Sequence, residues 1–127
     1  MMTAVIATFR VARQTSRWAR FAVVTVQVTP AVADAVAVVS GVRGGEAIAR
    51  EAAGGARYAL RRVPADVGGH RVLVTDIVAT EVDTGVGDVY EAAARAVWQA
   101  LSINPSLPVG FSEPELVAGW LRDRLGL

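Results

Sequence analysis

The sequence predicts one α+β domain whose elements follow the order β-β-β-α-β-α, with a further short helix near the C-terminal end. Two kinds of pattern predict the elements. Alternating or β-branched runs are typical of strands, and apolar residues at every third or fourth position are typical of helices. The length predicts the number of domains, because 127 residues can bury one core and leave no room for a second.

The first two strands are predicted at Thr3 to Val11 and at Phe21 to Val28, where the patterning is alternating or β-branched. The basic segment between them makes the pair a β-hairpin. We expect Pro30 to end the second strand, because proline cannot donate a hydrogen bond to a ladder. A valine-rich run at Ala35 to Val39 predicts the third strand.

Glu46 to Arg62 is predicted to be the first helix. Gly54 and Gly55 lie in its middle, where each glycine costs about 1 kcal/mol relative to alanine at an exposed position. We expect a packing reason for them, namely that this helix approaches a sheet closely. The predicted inward positions are Ile48, Ala52, Gly55 or Ala56, Ala59 and Val63, with Arg50, Arg57 and Arg61 on another side.

A turn from Pro64 to Gly69, with His70 before the next strand, leads to a β-branched strand at Arg71 to Thr80. A loop from Glu81 to Gly87 precedes a second helix at Asp88 to Leu101. The apolar stripe of this helix comprises Val89, Ala92, Ala93, Ala96, Val97 and Ala100.

The composition changes after Leu101. Residues 104–110 are rich in proline and predict a linker, and a capping box with proline predicts a helix from Ser112 to Leu125. We therefore divide the chain into a domain at residues 1–101 and a segment at 102–127. We expect the terminal helix to pack on the domain or on a second copy of the chain.

The composition excludes several classes of function. The chain contains no cysteine, which removes disulfides, thiolate metal sites and thiol nucleophiles. The first residues lack the basic region of a signal peptide, and no stretch has the length and composition of a membrane span. We therefore expect a soluble, cytoplasmic protein without contact with a membrane.

Positive charge is concentrated in the predicted hairpin, although the net charge of the whole chain is only +1. Guanidinium groups pair with phosphates, and aromatic rings stack on unpaired bases, so this segment is a candidate contact for RNA. A solvated turn with ordinary surface arginines, and Phe21 as the first core residue of its strand, is the alternative. The segment contains Arg10, Arg13, Arg17, Trp18, Arg20 and Phe21.

Other candidate groups have simple structural explanations. A carboxylate pair among Asp76, Glu81, Asp83 and Asp88 could act in acid–base chemistry or bind a divalent ion. Loop solvation and capping of the second helix explain the same residues. His70 has no clear acidic partner, and the pair Gly44 and Gly45 is more typical of a turn than of an anion site.

Four short motifs occur in order between residues 5 and 101. They are a basic loop before a strand that ends near a proline, a glycine-containing break before a helix, a β-branched strand, and an acidic loop before a second helix. Their residues are Arg13, Gln14 and Thr15 with Val28, Thr29 and Pro30; Val39 to Val42 with Glu46, Ile48 and Gly54; Val72, Val74 and Thr75; and Glu81 to Thr84 with Ala92 and Ala96. Together they resemble the fourth domain of bacterial translation elongation factor G.

The resemblance implies a two-layer α+β sandwich with a left-handed βαβ crossover, similar to the second domain of a small-subunit ribosomal protein. It also implies contact with the ribosome or RNA through two loops at one end. In the second loop, Thr80 or Glu81 stands where the family usually carries histidine. The residues assigned to RNA contact are Arg13, Gln14, Thr15, Arg17, Trp18, Arg20, Thr80, Glu81, Asp83 and Thr84.

No phosphate-binding loop and no lysine occur in the sequence, so we expect no GTPase activity and no bound nucleotide. The favoured function is a non-catalytic domain, without cofactor or metal, that contacts the ribosome or RNA. One alternative is a protein interaction module, such as a homodimer, that uses Trp120 and Leu121 of the terminal helix. A small enzyme on the same fold is a further alternative.

Overall fold

The computed structural model describes residues 4–14, 19–39, 45–80, 84 and 87–103. The predicted order β-β-β-α-β-α is confirmed. The predicted C-terminal helix, residues 112–125, lies outside the described residues. The elements are β1 (Val5–Gln14), β2 (Ala19–Ala31), β3 (Ala35–Val38), α1 (Gly45–Arg61), β4 (Gly69–Val78) and α2 (Asp88–Ala100), with one turn of 3-10 helix at Ala65–Val67 before β4.

The strands form one mixed sheet in the order β1-β2-β4-β3. β2 pairs antiparallel with both β1 and β4, whereas β3 runs parallel to β4. Parallel neighbours need a crossover connection, and α1 supplies it between β3 and β4. The left hand that the resemblance implies for this crossover stays a prediction.

Both helices cover the same face of the sheet. Ala22, Val24, Val26 and Val28 of β2 are buried, and the residues between them are half-buried. Because successive side chains of a strand point to opposite faces, this alternation separates a helix-covered face from an open face. α2 packs on β1 and β2, and α1 packs on β3 and β4. The domain is therefore the predicted two-layer α+β sandwich.

The two helices approach each other closely at Gly55 of α1. A Cβ atom at this position would lie 2.2 Å from the carbonyl oxygen of Tyr90 in α2. The prediction that a glycine here allows a close approach is therefore confirmed, because a side chain at this position would prevent it. The expected partner was wrong, since Gly55 faces a helix and not a sheet.

α2 is buried on most of its surface, because it packs against the sheet on one side and α1 on another. All six residues of its predicted apolar stripe are buried. Tyr58 of α1 makes edge-to-face contacts with Tyr90 and Trp98, at ring-centroid distances of 5.8 and 6.3 Å. The Trp98 Nε1 group donates a hydrogen bond to the Ala59 carbonyl at 3.1 Å, so the aromatic layer is tied to α1.

Several strand boundaries differ from those predicted, and two of the differences concern Pro30 and His70. β2 continues through Pro30, which lies opposite His70 of β4. In the described residues, β1 pairs with β2 only as far as Val28 and β2 ends at Ala31, so the proline lies at the end of the strand, beyond the described pairing with β1. β4 begins at Gly69, which places His70 in a strand and not in the preceding turn.

Candidate functional site

The two predicted loops leave the sheet at the same end. β1 and β2 pair up to Gln14 and Ala19, so the chain passes between them at this end through residues 15–18, which lie outside the described ranges. β4 approaches this end in the opposite direction to β2, with Val78 opposite Val23, and α2 begins there at Asp88. We call this end the apex, defined by residues 10–14, 19–23, 78–80, 84 and 87–88.

Thr84 connects the two sides of the apex. Its hydroxyl accepts a hydrogen bond from the Thr80 amide at 2.8 Å and donates one to the Phe21 carbonyl at 2.5 Å. The Thr84 amide also donates to the Thr80 carbonyl at 3.0 Å. One hydroxyl can donate once and accept as well, so a single side chain joins the end of β4 to the start of β2.

Asp88 makes a second connection to the same residue. Its carboxylate is 1% exposed, and its Oδ2 accepts a hydrogen bond from the Phe21 amide at 3.3 Å. Asp88 is the first residue of α2 and follows Gly87, whose φ of 86° lies in the left-handed region that favours glycine. A carboxylate at a helix N-terminus is stabilised by the helix dipole. Both backbone polar groups of Phe21 are therefore held by side chains from the second loop and from the residue that follows it.

The open face at the apex carries a cation next to an aromatic ring. The Arg10 guanidinium lies 5.6 Å from the centroid of the Phe21 ring. Arg10 is exposed, and Phe21 is half-buried on the face opposite buried Ala22. Phe21 is thus not the first core residue of its strand, which was the alternative interpretation. Arginine and a ring of this kind form a contact that a base can extend by stacking.

The predicted RNA-contact residues fall into two groups. Arg13 and Arg20 occupy directly opposed ladder positions, and Gln14 is opposite Ala19. Thr84 contacts Phe21 directly, and Thr80 is linked to Phe21 only through the Thr84 hydroxyl. The predicted residues outside the described ranges are Thr15, Arg17, Trp18, Glu81 and Asp83.

Two apex residues that the structure makes central are absent from the residues assigned to RNA contact. Phe21 is the point at which both connections meet, and Asp88 makes one of them. The capping interpretation of Asp88 concerned its own helix, and nothing in its local sequence indicates a partner 67 positions away. Successive side chains of a strand point to opposite faces, so an inward-facing Ala22 would have indicated that Phe21 lies on the open face.

The other candidate groups do not assemble into a reaction centre in the described part of the chain. Among those residues, no three of His, Asp and Glu lie close enough together to hold a metal ion. His70 is 6% exposed, and its amide donates to the Asp34 Oδ1 at 2.9 Å. Asp76 lies opposite Thr25 in the ladder, away from His70. No helix in the described ranges is long and apolar enough to cross a membrane.

A groove lies at the end of the sheet opposite the apex. It encloses about 220 Å³ between the C-terminal half of α1 and the start of β3. Arg57 and Arg61 are exposed there, and Asp34 lies on the opposite wall. These two arginines are a suitable control for the arginines of the apex, because they belong to the same domain and lie at the opposite end of the sheet. The groove is lined by Asp34, Ala35, Val36, Arg57, Leu60 and Arg61.

Comparison with known proteins shows the fold. No family model matches the chain, and no curated protein is significantly similar to it in sequence. A crystal structure of a Thermus thermophilus protein is similar over 79% of this chain, with a TM-score of 0.67 and 15% sequence identity. The match covers 16% of the Thermus chain, so this chain spans about one sixth of that protein's length.

Proposed function

We propose that this protein is a non-catalytic binding domain that contacts the ribosome or structured RNA through its apex. The observation that carries the proposal is that Thr84, in the second loop, and Asp88, directly after it, both hold Phe21 near the start of β2, through the Thr84 hydroxyl and the Asp88 carboxylate. Residues that flank the basic loop and the second loop therefore lie together at the apex, where they offer one surface to a ligand. We further propose that this surface resembles, in position and use, the tip of the fourth domain of bacterial elongation factor G.

Charge supports a polyanionic ligand. Arg13 and Arg20 are directly opposed in the ladder, and Arg10 lies nearby on the exposed face of β1. Like charges at opposed ladder positions destabilise a hairpin, and phosphates relieve that repulsion. The net charge of the chain is only +1, so this attraction is local to the apex and does not come from the protein as a whole.

The two fully buried carboxylates have structural roles, which favours binding over catalysis. Asp88 and Glu91 are each 1% exposed. Asp88 accepts from the Phe21 amide, and Glu91 accepts from Arg95 Nε at 3.1 Å. Both carboxylates are buried and hydrogen-bonded within the fold, so neither is exposed to a ligand. The proposed function requires no cofactor, metal or nucleotide, and we place it in the cytoplasm.

Co-sedimentation with purified 70S ribosomes at low and high salt tests the proposal. We expect the full-length protein to pellet with ribosomes at about 50 mM salt and to dissociate steeply as salt rises, because phosphate contacts release counterions. The variant Arg13→Ala/Arg17→Ala/Arg20→Ala should lose this binding.

The matched control is Arg57→Ala/Arg61→Ala/Arg71→Ala, which removes the same charge from exposed positions away from the apex. We expect it to bind like the original protein. Equal losses in both variants would indicate attraction to net charge alone and would reject the apex as the site. Absence of binding by the original protein at low salt would reject the proposed function.

A further inference from the structure

The outer edge of β1 is an unpaired strand edge in the described part of the structure. The sheet order makes β1 and β3 the two edge strands, and β1 pairs only with β2. β3 has four residues, whereas β1 has ten. Edge strands are commonly protected by shortness, proline, charge or a bulge. The β1–β2 register is continuous, and the segment from Ala4 to Phe9 contains neither proline nor a charged residue.

Large apolar side chains are exposed on this same segment. Val5 is 44% exposed and Ile6 is 69% exposed, although they belong to opposite faces of the strand. A partner that covered only the open face would therefore bury Ile6 and leave Val5 exposed. A strand added to the edge would flank both residues, because its own side chains also alternate between the two faces.

We propose that the edge of β1 pairs antiparallel with β1 of a second copy of this chain, with Thr8 opposite Thr8 of the second copy. This register places Val5 opposite Val11 and Ala7 opposite Phe9, so apolar residues meet on the helix-covered face. On the open face, Ile6 meets Arg10, whose methylene stem can cover it. Thr8 already makes such a cross-strand contact with Thr25, with the two hydroxyl oxygens 2.9 Å apart.

The distribution of charge favours a second copy in this orientation. Antiparallel pairing about Thr8 places the two basic loops at opposite ends of a continuous eight-stranded sheet. It also keeps Arg10 from facing its own counterpart, which would cost energy as a like-charge pair. The nearby Arg95 guanidinium lies 5.8 Å from the Phe9 ring and is paired with Glu91, so it adds no uncompensated charge at this edge.

The test is the mass of the full-length protein in solution, measured by light scattering and sedimentation equilibrium over a range of micromolar concentrations. We expect the original protein to be a dimer, and Thr8→Lys and Thr8→Glu each to be monomeric, because each puts like charges at the centre of the interface. An equimolar mixture of the two variants should form a heterodimer. Ala37→Lys is the matched control, since Ala37 is exposed on the other edge strand, and it should remain dimeric.

A monomeric original protein, or a dimer unaffected by Thr8→Lys, would overturn the proposal. A dimer strengthened by Thr8→Glu alone would also contradict it, because the register would then place Thr8 opposite an arginine. The variant Trp120→Ala/Leu121→Ala tests dimerisation through the terminal segment. If it is monomeric while Thr8→Lys is dimeric, the edge of β1 is not the interface. This inference is independent of the proposed RNA contact, since ribosome binding by a monomer would leave that function intact.

Discussion

The hydroxyl of Thr84 donates a hydrogen bond to the carbonyl of Phe21 and thereby joins the loop after β4 to the first residues of β2. These residues are 63 positions apart in the sequence. The same hydroxyl accepts from the Thr80 amide, so it organises its own loop as well. Removal of this one oxygen atom therefore tests whether the two sides of the apex form a single unit.

We predict that Thr84→Val destabilises the domain by about 1–3 kcal/mol, because it removes the hydrogen bonds that the Thr84 hydroxyl makes with the Phe21 carbonyl and the Thr80 amide. Thr84→Ser keeps the hydroxyl and should recover most of this loss. Urea denaturation monitored by circular dichroism measures both changes. Equal stability of the valine variant and the original protein would contradict the role assigned to Thr84.

Asp88→Ala should increase the hydrogen-exchange rate of the Phe21 amide, because this amide would lose its carboxylate acceptor. We expect a loss of stability of about 1–3 kcal/mol, and a smaller loss for Asp88→Asn, which retains an acceptor oxygen but not the charge. Hydrogen exchange followed by NMR measures the site directly. An unchanged Phe21 exchange rate in the alanine variant would show that the amide is protected by something else.

Gly55→Ala is predicted to destabilise the domain by about 1–3 kcal/mol or more, because the added methyl group would overlap the Tyr90 carbonyl of α2. Helix propensity alone predicts the opposite sign, a gain of about 1 kcal/mol. The sign of the change in unfolding free energy therefore distinguishes packing from propensity. Ala47→Gly, at an exposed position of α1, calibrates propensity and should cost about 1 kcal/mol.

The ion pair between Glu91 and Arg95 should contribute far more than the pair between Glu46 and Arg50. Both are four residues apart in a helix, but Glu91 is 1% exposed whereas the side chains of Arg50 and Glu46 are 70% and 89% exposed. Arg95→Ala leaves a buried carboxylate and should cost about 3 kcal/mol. Arg50→Ala should cost less than about 0.5 kcal/mol. Similar losses of unfolding free energy in the two variants, measured by thermal or urea denaturation, would contradict the claim that burial strengthens the Glu91–Arg95 pair.

Local patterns were sufficient to predict the order of the elements and most of the core. The alternation in β2 and the apolar stripe of α2 are properties of a single strand or helix, and both are confirmed. Relationships between elements could not be predicted in this way. The approach of Gly55 to Tyr90 depends on how α1 and α2 pack, and the continuation of β2 through Pro30 depends on its pairing with β4.

The same distinction applies to the apex. The basic hairpin was visible in the sequence because its residues are consecutive. The hydrogen bonds that join Phe21 to the side chains of Thr84 and Asp88 depend on the register between distant strands, which shifts at a bulge between Thr25 and Val26, outside the apex. Residue types alone therefore indicated which loops to consider, and the register of the sheet determined that their flanking residues meet.

The most direct test of the central claim is an NMR titration of the ¹⁵N-labelled full-length protein with an RNA hairpin from the decoding region of small-subunit ribosomal RNA. If the apex is one RNA-contacting surface, the amide signals of Phe21, Thr80 and Thr84 should shift together at low salt and return as salt is raised. Signals near the groove at Arg57 and Arg61 should stay in place. Shifts confined to the groove, or to only one side of the apex, would contradict the claim.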